Sequence, residues 1–167
     1  MEHVFIVLSY RVFIKIIKIK GGSGMVALGC DHGGYELKQE IIQYLEENQI
    51  QFKDYGCYDT SSVDYPIYAR KVAQAILNGE ADKGILICGT GIGISIAANK
   101  IKGIRAALCS DCFSAQATRE HNDANILCMG GRVVGPGLAV KIVDTFLHTE
   151  FSNDERHIRR IRLIEEN

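Results

Sequence analysis

Residues 83–100 read KGILICGTGIGISIAANK, with one thiol followed by glycines at 89, 91 and 93. The apolar run Ile85-Leu86-Ile87 leads into Cys88 and the glycines, and a small-residue segment of helical character follows. An apolar strand that enters glycines and then a helix is how a parallel α/β domain builds a ligand crevice. Backbone N–H groups from Gly89 to Gly93, near a helix start, would attract negative charge, and a thiol beside them would favour its thiolate. Such a thiol suits base or nucleophile chemistry. The same residues also suit a tight turn around a small buried thiol, so the choice rests on their partners. A dinucleotide site would place its G-x-G-x-x-G in the first βα turn, but that turn reads Gly29-Cys30-Asp31-His32-Gly33-Gly34. No Gly-Lys-Ser/Thr ending marks a triphosphate loop either.

Two further groups could serve such a thiol. Asp31 and His32 follow the first strand, at the edge where open α/β sheets bind ligands. Near the C-terminus Arg156, Arg159, Arg160 and Arg162 cluster among apolar residues. Arg156 and Arg160 fall at i, i+4 on one helical face, and paired guanidinium forks suit a phosphate. Asp64-Tyr65-Pro66 reads as a helix start, with Asp64 as cap and Pro66 in the first turn. The six cysteines show no zinc spacing. Cys109 and Cys112 form a lone C-x-x-C, whose alternative reading is a redox pair.

The elements that position these residues alternate regularly. Apolar runs predict strands over 25–28, 51–54, 85–87, 104–109 and 126–129, the second of them polar and at a sheet edge. Helical patterns fall over 35–47, 67–77, the small-residue segment that follows the glycines and ends by Lys100, 113–120 and 138–147, with Asp111 as a cap and Leu37, Ile41, Ile42 and Leu45 as the first inner stripe. This is a parallel sheet with helices on both faces. At 167 residues the chain supports one domain with a real core. A formal net charge of -1 excludes the broad basic excess that wraps nucleic acid.

Residues 1–24, MEHVFIVLSYRVFIKIIKIKGGSG, stand apart as a non-core leader, and the domain is expected over 25–167. The leader reads either as an added segment on a Gly/Ser joint or as translation begun upstream of Met25. It is too short and charged to span a bilayer and lacks a secretory cleavage pattern. A basic amphipathic membrane-surface helix is its alternative reading, although its many β-branched residues count against a free helix. Free-looking cysteines without an export signal point to a reducing cytoplasm.

The ordered motifs resemble those of the type B ribose-5-phosphate isomerases, within the wider ribose/galactose isomerase family. They are Gly29-Cys30-Asp31-His32-Gly33-Gly34, Asp64-Tyr65-Pro66, the segment from Cys88 to Ser95 followed by Ala97-Ala98-Asn99-Lys100, Gly103-Ile104-Arg105-Ala106, His121-Asn122-Asp123-Ala124-Asn125, Gly131-Arg132-Val133-Val134-Gly135 and the closing Arg156-His157-Ile158-Arg159-Arg160. The resemblance implies a Rossmann-like three-layer α/β/α sandwich with a five-stranded parallel sheet. It implies an aldose–ketose isomerase acting on D-ribose 5-phosphate and D-ribulose 5-phosphate, with no metal or nucleotide cofactor. By the same resemblance Cys88 moves the proton, and Thr90 with Gly89, Gly91, Ile92 and Gly93 stabilises the enediolate. His121 would open the sugar ring, and Asp31, His32 and Asn122 would contact the sugar phosphate. Arg132, Arg156 and Arg160 would hold it, chiefly at the phosphate. Sites at the interface of a homodimer or homotetramer are implied as well. The alternatives are an allose 6-phosphate or galactose 6-phosphate isomerase and a non-catalytic sugar-phosphate sensor. Asp154-Glu155, where the family often has Gly-Gly, departs from the pattern and would weaken phosphate attraction or change the turn.

Overall fold

A computed structural model describes residues 24–166, so the leader lies outside the described residues except for Gly24, whose N–H donates to Asp82 Oδ2 at 2.6 Å. Five strands, β1 (Val26–Cys30), β2 (Phe52–Asp54), β3 (Lys83–Cys88), β4 (Ala106–Leu108) and β5 (Ile126–Gly130), alternate with helices. The helices are α1 (Tyr35–Glu47), α2 (Tyr65–Leu77), α3 (Ile92–Asn99), α4 (Cys112–Asn122), α5 (Pro136–His148) and α6 (Glu155–Glu165). All strand pairs are parallel, in the order β2-β1-β3-β5-β4. The expected three-layer α/β/α sandwich is the architecture found.

Every residue of β1, β3 and β5 is buried, as befits central strands covered on both faces. Alternate side chains serve separate cores. Val26, Leu28, Ile85, Ile87, Leu127 and Met129 join α1, α4 and α5 on one face. Ala27, Leu86, Cys88, Ile126 and Cys128 join α2 and α3 on the other. Leu37, Ile41 and Leu45 of α1 are buried as the stripe predicts, with Ile42 packed at its margin.

Two details differ from expectation. The fourth strand covers only Ala106–Leu108; just before it the Arg105 N–H goes to the Asn125 side chain, Oδ1 at 2.9 Å, rather than to a backbone carbonyl. Asp64 occupies the N-cap of α2 but its side chain makes no capping bond; its carbonyl receives the Ile67 N–H at 3.1 Å. Asp111 does cap α4, accepting from Ser114 N–H at 2.7 Å. No helix among the described residues is long and apolar enough to cross a membrane.

The chain leaves β1 outward to β2 and then crosses to β3 on the other side. This reversal opens a crevice at the carboxyl ends of β1 and β3, the usual binding place in an open α/β sheet.

Candidate active site

Cys88 ends β3, 5% exposed, with its side chain on the α2/α3 face. The Gly91 N–H donates to its sulfur at 3.1 Å. Gly91 reaches this position in the left-handed region, φ 77°. A Cβ there would lie 2.5 Å from Leu108 Cδ1 and 2.7 Å from the Met129 carbonyl carbon, so no other residue fits undisturbed. Thr90 Oγ1 accepts the Ile92 N–H at 3.3 Å at the start of α3. The remaining first-turn N–H groups of α3 have no carbonyl within the helix to bond.

The loops after β1 and β5 close on this thiol loop through backbone contacts. A Cβ on Gly34 would sit 2.5 Å from the Ile87 carbonyl oxygen, which is why a glycine precedes α1. Gly131 N–H donates to the Cys88 carbonyl at 2.8 Å and Arg132 N–H to the Gly89 carbonyl at 3.0 Å. Arg132 is thereby held over Gly89. Asp31 Oδ1 accepts from the Gly33 and Gly34 N–H groups at 2.8 and 3.1 Å, fixing the first turn. Val63 N–H donates to His32 Nδ1 at 3.2 Å, so a neutral His32 carries its proton on Nε2. The segment leading to Val63 is tethered by buried Lys38, whose ammonium donates to Asp54 Oδ2 and the Cys57 carbonyl, both at 2.6 Å.

Asp31, His32, Cys88, Gly89, Thr90, Ile92, Gly93 and Arg132 thus line one cleft of about 390 Å³. Tyr65 lines it too, its ring against Gly93; the sequence places it in a helix start and in a family motif but gives it no contact with the site. The available signal was topological: α2 begins at the carboxyl edge of the sheet, as every helix following a parallel strand does.

His121, Asn122, Arg156 and Arg160 lie elsewhere. Because α4 runs antiparallel to the strands, its end falls at the amino edge of the sheet, where the Asn125 carbonyl accepts the Gly84 N–H at 2.8 Å. His121 is half exposed there, and Asn122 lines a separate groove with Arg105 and Glu165. Arg156 and Arg160 project from α6, both exposed. The two departures from the pattern open that helix: Asp154 is its N-cap residue and pairs with Arg156 at 3.5 Å, and Glu155 sits in its first turn. The C-x-x-C pair holds free thiols, and burial, with Asp111 second, pushes Cys109 up to about 11, which leaves it a poor nucleophile. Among the described residues no group of three or more His, Cys, Asp or Glu side chains could hold a metal ion.

Residues 26–164 match the family model described as Ribose/Galactose Isomerase. The chain belongs to the ribose/galactose isomerase family. Within it, ribose-5-phosphate isomerase B of Escherichia coli (strain K12) is 51% identical over 139 residues, 83% of this chain and 93% of that protein. The solved ribose-5-phosphate isomerase B of Clostridium thermocellum is 53% identical with a TM-score of 0.83, over 85% of this chain and 95% of that one. The Thermotoga maritima ribose 5-phosphate isomerase structure is also 53% identical, with a TM-score of 0.84 over 86% and 98% of the two chains. The family's fold and the cleft at the β1/β3 switch point therefore coincide in this chain.

Proposed function

We propose that this protein interconverts D-ribose 5-phosphate and D-ribulose 5-phosphate by proton transfer through an enediolate. The observation that carries this reading is the Cys88 sulfur at the cleft floor with the Gly91 N–H directed onto it. The reaction removes a proton from carbon beside a carbonyl, and its difficult moment is the charge left on oxygen. Starting from the open aldose, the Cys88 thiolate takes the C2 proton as the electrons pass onto O1 in the enediolate; the thiol then returns that proton to C1 while the O2 proton passes to O1, leaving the carbonyl at C2. Donors around Gly89 to Gly93, with Thr90, stabilise the enediolate oxygen; loss of one such donor in enzymes costs about 3–4 kcal/mol. Asp31, His32 and Tyr65 contact the sugar from the cleft wall, and Arg132 supplies positive charge at its rim.

Opening the furanose needs a second group that moves a proton near neutral pH, and His121 is that group. A second copy of the chain supplies His121, Asn122, Arg156 and Arg160 to each cleft, so the active form is a homo-oligomer with shared sites. The wide separation of these residues from Cys88 within one chain supports this arrangement.

The test is kcat/KM on ribose 5-phosphate, allose 6-phosphate and galactose 6-phosphate with the purified protein. Ribose 5-phosphate should be preferred, and Cys88→Ala should abolish turnover while the protein still binds sugar phosphate. A hexose phosphate preference, or an unchanged rate in the alanine variant, overturns the substrate or the base assignment respectively.

A further inference from the structure

His157 is a charged-type side chain that the mechanism leaves unused, yet it is only 3% exposed. It lies on α6 between the two arginines assigned to phosphate, one residue after Arg156 and three before Arg160. Its Nδ1 is 3.0 Å from Ser152 Oγ and 3.3 Å from the Glu120 carbonyl. The same carbonyl accepts the Ser152 N–H at 3.1 Å, so the end of α4 and the start of α6 share one acceptor. The His157 ring then packs against the His121 ring, with centroids 4.5 Å apart and planes tilted by 55°.

The surroundings of His121 make this contact consequential. Its other close polar neighbour is Glu120 Oε2 at 4.0 Å, too far for a hydrogen bond that would fix the ring. A half-exposed side chain at a helix end otherwise samples several rotamers, and a general acid must present its proton within hydrogen-bonding reach. We propose that His157 is a positioning residue that holds the His121 ring for sugar-ring opening and ties it to the helix bearing Arg156 and Arg160. Phosphate capture on α6 and proton delivery from α4 are then parts of one rigid unit. This inference rests on the assignment of His121 as the ring-opening group.

The experiment starts from ribulose 5-phosphate in deuterated water and reads two products: deuterium at C1 of the remaining ketose and aldose formed. Exchange reports proton transfer at Cys88; aldose formation also requires ring closure. His121→Ala should raise the exchange-to-aldose ratio by on the order of tenfold or more, the lower reach of general acid–base catalysis. His157→Ala and His157→Asn, which remove the ring, should raise it in the same sense. His157→Phe keeps a ring against His121 and should stay within about twofold of the wild type. It orphans neither neighbour, since Ser152 N–H still bonds the Glu120 carbonyl and Asp154 N–H still reaches Ser152 Oγ at 3.3 Å. In the His121→Ala background, His157→Ala should add nothing to the ratio. If His121→Ala raises the ratio and the ring-removing variants leave it at the wild-type value, or lower exchange and conversion equally, positioning is overturned and the ring-opening assignment stands. If His121→Ala itself leaves the ratio unchanged, that assignment falls and takes the inference with it.

Discussion

At the scale of single residues, the proposed chemistry rests on one backbone N–H reaching one sulfur. Gly91 holds that N–H 3.1 Å from Cys88 Sγ in a backbone conformation that costs other residues roughly 1–2 kcal/mol. An added methyl would also press on the β5 backbone, which cannot yield as a side-chain tip can. Gly91→Ala should therefore lower turnover by on the order of 10²-fold, as loss of a preorganised donor does. It should also lower the melting temperature. Gly135→Ala is the control: nothing lies within 4 Å of a Cβ there, and its φ of -71° suits any residue. Steady-state kinetics and thermal melts of the pair check this; equal behaviour of the two variants would remove Gly91 from the mechanism. Cys88, Asp31 and His32 were legible from sequence because a strand's apolar run announces where its carboxyl end lies. Tyr65 was not, since a tyrosine beside a proline at a helix start carries no local mark of the cleft it faces.

At the scale of elements, central strands were easier to read than edges. Burial on both faces makes β1, β3 and β5 continuous apolar runs. At the β4 edge, side chains take over the pairing: Asn99 bonds both the N–H and the carbonyl of Ala106 at 2.8 Å, in the manner of a further strand. Apolar periodicity cannot announce such a substitution. The amino edge of the sheet holds another buried polar device. Lys83, at the start of β3, is buried and donates to the Leu147 carbonyl of α5 at 2.6 Å. Desolvation, and then the nearby Arg119, push its ammonium down to about 8 from the ordinary 10.5, against the opposing pull of Glu150, Asp123 and Asp82. Below pH 8 the lysine is charged in folded and unfolded chains alike, and its burial weighs fully against folding. Between about 8 and 10.5 the unfolded chain binds the extra proton, so that burden is relieved as pH rises. Relative to Lys83→Met, the wild type should gain up to about 1.4 kcal/mol per pH unit across this window. Urea unfolding of both proteins from pH 7 to 10 measures the difference, and a constant offset would refute it.

At the scale of the whole molecule, the sheet itself separates the two halves of the proposed machinery. Cys88 ends β3 at one edge and His121 lies near the other, so the interval approaches the length of that six-residue strand, about 17 Å from first Cα to last. A histidine side chain spans only a fraction of that distance. Neither hydrophobic period nor motif spacing encodes which edge of a neighbouring copy meets the cleft; the resemblance alone suggested it. If two copies pair with twofold symmetry, each site combines Cys88 of one chain with His121 and Arg160 of the other. Cys88→Ala and Arg160→Ala variants should then each be severely impaired alone but complement when their subunits are reshuffled. A mixed dimer carries both lesions in one site and none in the other. Random pairing makes half the dimers mixed, so about a quarter of all sites should regain wild-type turnover. If each site were built from a single chain, every site would carry one lesion or the other, and mixing would return only the average of the two impaired rates. The assay should therefore follow isomerisation before and after subunit exchange at fixed total protein, with recovery toward a quarter as the expected result and the unimproved average as the outcome that rejects shared sites.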